Sequence, residues 1–156
     1  MTDDIKKRLD VVLVAGGKYH DIDFARLELL KLLAEDDRIR TRVYEDYSNL
    51  HAISNADFLI TYTCDVRPTL EQQKVLRDFV ANGKRWLALH GTNSILQFLS
   101  DGRVDCPRVA PIFMETLGSQ FLSHPPIEPY TVTVADGDHH LVEGVEPFET
   151  NDELYL

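Results

Sequence analysis

The sequence is poor in the residues that mark the most easily recognised protein classes. Cysteine occurs twice, as Cys64 and Cys106, with no CxxC spacing. That excludes a disulfide framework and a cysteine-based zinc site. Two reduced thiols are what an intracellular protein carries, so a cytoplasmic location is expected. Basic residues are the minority, with 16 Lys and Arg against 26 Asp and Glu, a net charge of −10. That sign, with no basic cluster, excludes a nucleic-acid partner and disfavours an anionic membrane surface. Long apolar runs are missing too. Val11 to Ala15 and Phe58 to Ile60 fall far short of the roughly 20 residues that span a bilayer. Met1 leads into Thr2-Asp3-Asp4, which is not the pattern of a secretory leader.

What remains is a chain of 156 residues, 44% of them hydrophobic, without repeats, low-complexity tracts or a linker. We expect one domain over residues 1–156. Asp10-Val-Val-Leu-Val-Ala-Gly-Gly17 is apolar at nearly every position, as a strand buried on both faces requires. Ile22 to Ala34 has helical spacing, with Ile22, Ala25, Leu29, Leu32 and Leu33 on one face. Arg40 to Glu45 and Ala56 to Thr63 read as further strands. Thr69 and Gln72 form a capping box ahead of a helix that buries Leu76, Phe79 and Val80 and stops at Asn82-Gly83. Lys84 to His90 reads as a buried fourth strand. This β-α-β-β-α-β order predicts an α/β fold with a mainly parallel sheet between two helical layers, a three-layer sandwich. Farther on, Asn93 to Arg108 predicts a short helix and a surface loop, Pro111 to Leu117 a helix closed by Gly118, and Tyr130 to Ala135 a half-exposed strand. Asp152 to Leu156 reads as the start of another strand, after which a domain of this type would add a final strand and helix.

In an open parallel sheet, ligands bind beyond the carboxyl ends of the strands. The unusual polar residues fall there: Gly17, Lys18, Tyr19, His20 and Asp21 after strand one, Asp65 after strand three, His90, Gly91 and Thr92 after strand four. His124, Asp138-His139-His140 and Asp152-Glu153 come from later loops that could fold over the same rim. Gly16-Gly17 is a tight turn and lacks the spacing of a nucleotide-binding loop. His20-Asp21 reads equally as a catalytic dyad or as a helix start, and His124 before two prolines could be a rigid loop histidine. His90, between an apolar strand and a glycine, occupies a nucleophile-elbow position, where other enzymes carry Ser or Cys. Two chemistries suit such a rim. Imidazoles and carboxylates bind zinc or a similar divalent ion, for which His20, His90, His124 and His139 are the candidates. They also exchange protons with a sugar or other polar substrate.

Taken in order, Val12 to Asp21, Tyr62-Thr-Cys-Asp65, Leu70-Glu-Gln-Gln73, Leu87-Ala-Leu-His90-Gly91, Leu117-Gly118 with Phe121 and His124-Pro125, Asp138-His139 and Asp152-Glu-Leu-Tyr155 resemble the ThuA-like (trehalose-utilisation) family. The resemblance implies a flavodoxin-like, class I glutamine amidotransferase-like fold without the catalytic cysteine, since His90 stands in its place. It implies a carbohydrate-processing enzyme that hydrolyses or isomerises a glycoside or keto-sugar. Here His20, His90 and Asp21 would be catalytic, and Gly17, Tyr19, Asp65, Gly91, Thr92, Asp152 and Glu153 substrate-binding. The alternative is a non-catalytic sugar-binding or regulatory module on the same fold. The expected partner is a small sugar, with self-association through an apolar patch left open. His140 replaces the family's usual proline, and Gln97 to Pro107 departs from the usual loop, which could set substrate choice. The family normally continues beyond Asp152-Glu-Leu-Tyr155.

Overall fold

The structure is a computed structural model that describes residues 7–156. These residues fall into two compact units, the first running to Phe121 and the second covering Leu122–Leu156. The first unit runs β1 (Leu9–Gly17), α1 (Ile22–Leu33), β2 (Ile39–Tyr44), α2 (Leu50–Asn55), β3 (Phe58–Cys64), α3 (Leu70–Ala81) and β4 (Arg85–Leu89). A single 3-10 turn, His90–Asn93, leads to the short strands β5 (Gln97–Phe98) and β6 (Val104–Asp105) and then to α4 (Pro111–Leu117).

β1 to β4 form one all-parallel sheet in the order β2-β1-β3-β4. Val11 to Ala15 sit at its centre, each 2% exposed or less, as a strand flanked on both sides and covered on both faces should. α1 covers one face, packing Leu29 and Leu30 against Val11, Leu13 and Ile60. α2, α3 and α4 cover the other, where Ile53, Leu76, Phe79 and Phe113 enclose Val12, Val14 and Leu59. The expected three-layer α/β sandwich is therefore what forms. β3 carries two buried hydroxyls, and both are satisfied. Thr61 accepts from the Trp86 indole at 3.0 Å, and Thr63 pairs with the buried Tyr47 phenol at 3.2 Å. Burial pushes that phenol far up, so it stays neutral.

Local chemistry sets the helix ends. Thr69 Oγ1 accepts from the Gln72 amide and Gln72 Oε1 from the Thr69 amide, the reciprocal capping box that the sequence predicts. α4 opens on Pro111 and closes on Gly118, which has φ 77°.

Several expectations need correction. Between β2 and β3 the chain adds α2, because two parallel strands require a crossover that a plain β-β link cannot make. On α1, Leu32 is 58% exposed and Leu30 packs in its place, since at 100° per residue Leu30 lies nearer the face centred on Leu33. On α3, Val80 is exposed and Gln73 is buried, its amide donating to the Pro68 carbonyl at 3.1 Å. β4 is one of the two outer strands of the four and not a buried one, leaving Leu87 51% exposed. Asn93 to Arg108 holds the β5–β6 hairpin where a short helix was expected, turned at Asp101-Gly102, with Gly102 at φ 83°.

The second unit is an antiparallel pair, β7 (Glu128–Val132) against β8 (Phe148–Asp152), with a short 3-10 turn at His140–Val142 between them. β8 ends at Asp152, where the sequence suggested a strand would begin.

The glycines closing β1 answer to crowding by backbone. A Cβ on Gly16 would lie 2.0 Å from the Glu45 carbonyl oxygen, and one on Gly17 would lie 1.9 Å from that of Cys64. β1 ends wedged between its neighbours, and no side chain fits. Gly16→Ala is expected to lower stability by about 2–3 kcal/mol in urea unfolding, whereas Gly137→Ala, in open space, should stay within about 0.5 kcal/mol. Equal effects at the two positions would contradict the crowding.

Candidate functional site

Three residues other than glycine adopt positive φ among the described residues: Tyr19 at 71°, Asp65 at 56° and His90 at 46°. They follow β1, β3 and β4 respectively. Such a conformation costs an L-residue about 1–2 kcal/mol, and here the cost falls three times along one edge of the sheet. That edge flanks the point between β1 and β3 where the strand order reverses, the place where α/β sheets bind ligands.

His90 opens its turn directly after β4. Gly91 must lack a side chain, because a Cβ there would meet the Thr63 carbonyl oxygen at 2.9 Å and Cys64 Cβ at 3.0 Å. Thr92 is 3% exposed, and its hydroxyl donates to the Leu89 carbonyl at 2.8 Å beside the Thr61 hydroxyl at 3.1 Å. Gly91 and the Thr92 side chain are thus packed beneath the turn that presents His90. Cys64, also buried, lies under it as well.

A ring cluster forms where β4 ends. Tyr62 pairs with Leu89 across β3 and β4, and His90 follows Leu89 in the left-handed conformation that departs from the strand. The Tyr62 and His90 rings stack with centroids 5.7 Å apart and planes 22° from parallel. His20 meets His90 edge-on, with centroids 4.4 Å apart and planes at 65°, and lies 6.4 Å from the Tyr62 ring. Both imidazoles are half-buried.

Asp65 ties these loops together. Its side chain is 7% exposed and accepts from Lys18 Nζ at 3.1 Å, the Leu96 amide at 3.1 Å and Arg67 Nε at 3.4 Å. Its own amide donates to the Ser94 carbonyl at 2.9 Å, and the Lys18 amide donates to the Cys64 carbonyl at 3.0 Å. Asp21 caps α1, accepting from the Phe24 amide at 2.9 Å, which is the helix-start reading of the His20-Asp21 pair. Beside it, Gly17, His20, Asp21, Arg26 and Glu45 line a cleft of about 330 Å³. Arg26 faces acids there, 2.7 Å from Asp23 and 3.8 Å from Glu45.

The remaining candidates lie in the second unit. His124 Nδ1 donates to the Pro125 carbonyl oxygen at 2.8 Å, and its Nε2 lies 3.7 Å from Glu153. Asp152 Oδ1 accepts from the Glu153 amide at 2.8 Å. His139 stacks on His140 at 4.6 Å, and its Nδ1 accepts from the Leu141 amide. Of the four histidines expected to hold a metal, His20 and His90 meet within one unit. Two imidazoles can begin a divalent-ion shell, and a zinc-type site takes at least three protein ligands.

Tyr62, Arg26 and Glu45 were not among the expected site residues. Strand alternation alone does not single them out, because their roles come from register and from the ends of neighbouring strands.

The model of the ThuA family, described as trehalose utilisation, matches residues 10–156. The chain belongs to the ThuA family. Among solved structures, a ThuA-like protein from Bacteroides uniformis has a TM-score of 0.74 at 17% identity, covering 96% of this chain and 61% of that one. That likeness is one of fold, and this chain spans about three fifths of that protein's length. No curated protein matches the sequence. No helix among the described residues is long and apolar enough to cross a membrane.

The strain at His90 can be measured. His90→Gly and His90→Ala lose the same ring, but only glycine relaxes φ 46°. The glycine variant is expected to be about 1 kcal/mol more stable than the alanine variant in urea unfolding. Alanine equal to or better than glycine would contradict a strained elbow.

Proposed function

We propose that this ThuA-family chain carries the site of a carbohydrate-processing enzyme that acts on a glycoside or keto-sugar by hydrolysis or isomerisation. The observation that supports it best is the His20–His90 contact, two imidazoles 4.4 Å apart over Tyr62 at the carboxyl edge of the sheet. Imidazoles exchange protons near neutral pH, and two in contact can share the work: in isomerisation one takes a proton from a sugar carbon while the other delivers one to the carbonyl oxygen, and in hydrolysis one takes a proton from the attacking water while the other delivers one to the leaving glycosidic oxygen. The adjoining cleft carries Asp21, Asp23 and Glu45 against Arg26. That balance repels phosphates and carboxylates and suits a neutral polyol, which needs hydrogen-bond acceptors and donors rather than a cationic field.

Asp21, committed to the α1 cap, would hold His20 in place through the backbone. Gly17, Gly91 and Thr92 would shape the floor. A divalent ion such as zinc, when bound, would draw on His20 and His90 and polarise a sugar oxygen. A cytoplasmic setting agrees with the low cysteine content, Cys64 being buried and Cys106 having its pKa raised by burial and by neighbouring Asp105.

The test is product formation from keto-glycosides such as oxidised trehalose, with metal content measured on the same sample. His20→Gln and His90→Gln are each expected to lower kcat/KM by about 10²-fold or more while the fold is kept. Undiminished turnover would overturn the assignment of these histidines. Saturable sugar binding without product would replace the enzyme with a sugar-binding module.

A further inference from the structure

The proposed reaction does not use the aromatic pair beside it. Tyr19 and Phe98 lie with ring centroids 5.7 Å apart and planes at 48°, although they come from different loops, one after β1 and one on the β5–β6 hairpin. Tyr19 is 55% and Phe98 58% exposed. Neither ring is held there by core packing.

Three observations argue that the rings are placed for a ligand. Tyr19 has φ 71°, a conformation that glycine or asparagine adopts far more cheaply than a bulky aromatic. The turn alone therefore does not select tyrosine. Phe98 stands on a two-residue strand opposite Val104, itself 48% exposed, so one side of the pair continues into an apolar face. The two loops are also joined by a buried device. Asp65 grips Lys18, one residue before Tyr19, and the Leu96 amide, two residues before Phe98. Arg67, bound to the same carboxylate, also donates to the Leu96 carbonyl. A nearly buried carboxylate thus fixes the spacing of two exposed rings, one of which immediately precedes His20.

We propose that Tyr19 and Phe98 form the platform for the second ring of a disaccharide substrate, the sugar on the far side of the bond from the His20–His90 pair. This rests on the sugar-processing reading of that pair. A pyranose presents an apolar face of C–H groups that packs against aromatic rings while its rim hydroxyls bind polar neighbours, here Lys18 and Arg67 beside Asp65. Tyr19 supplies a phenol as well as a ring. Phe98, on the β5–β6 hairpin, is a specificity-determining residue, and Asp65 is a positioning residue that acts through both loops.

The test compares two probes, oxidised trehalose and oxidised methyl glucoside, the second lacking the second ring. Phe98→Ala, at an exposed position, is expected to raise KM for the disaccharide about five- to tenfold, leave KM for the methyl glycoside within about twofold, and leave kcat unchanged for both. Phe98→Tyr should restore the disaccharide KM. Equal KM changes for the two probes, or none for either, would overturn the platform. Direct titration with unmodified trehalose separates this claim from the catalytic one. If wild-type protein turns over neither probe but binds trehalose several-fold more tightly than Phe98→Ala does, the platform stands and the catalytic reading falls. If it turns over both probes and Phe98→Ala behaves as wild type, the reverse holds.

Discussion

A single carboxylate organises the carboxyl edge of this sheet. Asp65 sits at the end of the central strand β3, 7% exposed, in a left-handed conformation. It draws in Lys18 from the loop after β1 and Leu96 and Arg67 from its other side. A carboxylate this enclosed is stable only when several donors face it. Those donors are the loops that carry Tyr19, His20 and Phe98, so satisfying one buried charge also sets the mouth of the site. The glycines around it belong to the same arrangement. Gly16 and Gly17 let β1 end flush against Glu45 and Cys64, and Gly91 lets the turn after β4 settle onto Thr63 and Cys64.

The edge is built at the expense of local stability. Tyr19, Asp65 and His90 all hold backbone angles that glycine would adopt more easily, and the sheet beneath absorbs the strain through a core in which Leu13, Val14, Ile53, Leu59 and Leu76 are wholly enclosed. Strain confined to three loops at one edge, over a core free of it, is the distribution expected of a functional site. The neighbouring cleft, acidic apart from Arg26, accords with the −10 charge of the chain.

Much of the fold is legible in the residues, and the exceptions have physical causes. β1 and β3 declare themselves because both faces are buried, and Thr69 with Gln72 marks the start of α3 by a mechanism that operates as read. α2 is only six residues long and β5 and β6 two each, too short for a periodic pattern, although Asp101-Gly102 is a hairpin signal. β4 is as apolar in sequence as a buried strand, yet its place at the outside of the four depends on topology, which composition does not encode. For the site, the rule that ligands gather at strand ends selects the loops in which the left-handed residues fall. It cannot say that Thr92 turns inward, that Asp21 caps a helix, or that Asp65 is a joint between loops. Those outcomes are set by register and by backbone angles. His90 was conspicuous because an imidazole replaces the usual nucleophile. Tyr62, whose ring supports it, emerges only when β3 is laid against β4.

The central claim is that His20 and His90 act as one sugar-facing pair. Histidine-ring NMR on the protein titrated with oxidised trehalose tests it most directly, since the six imidazoles report individually once each is assigned by substitution. The account predicts that the ring signals of His20 and His90 shift together along one binding curve, with that of His51, exposed on α2, unmoved. Saturable binding of the sugar that leaves both His20 and His90 unshifted would contradict it.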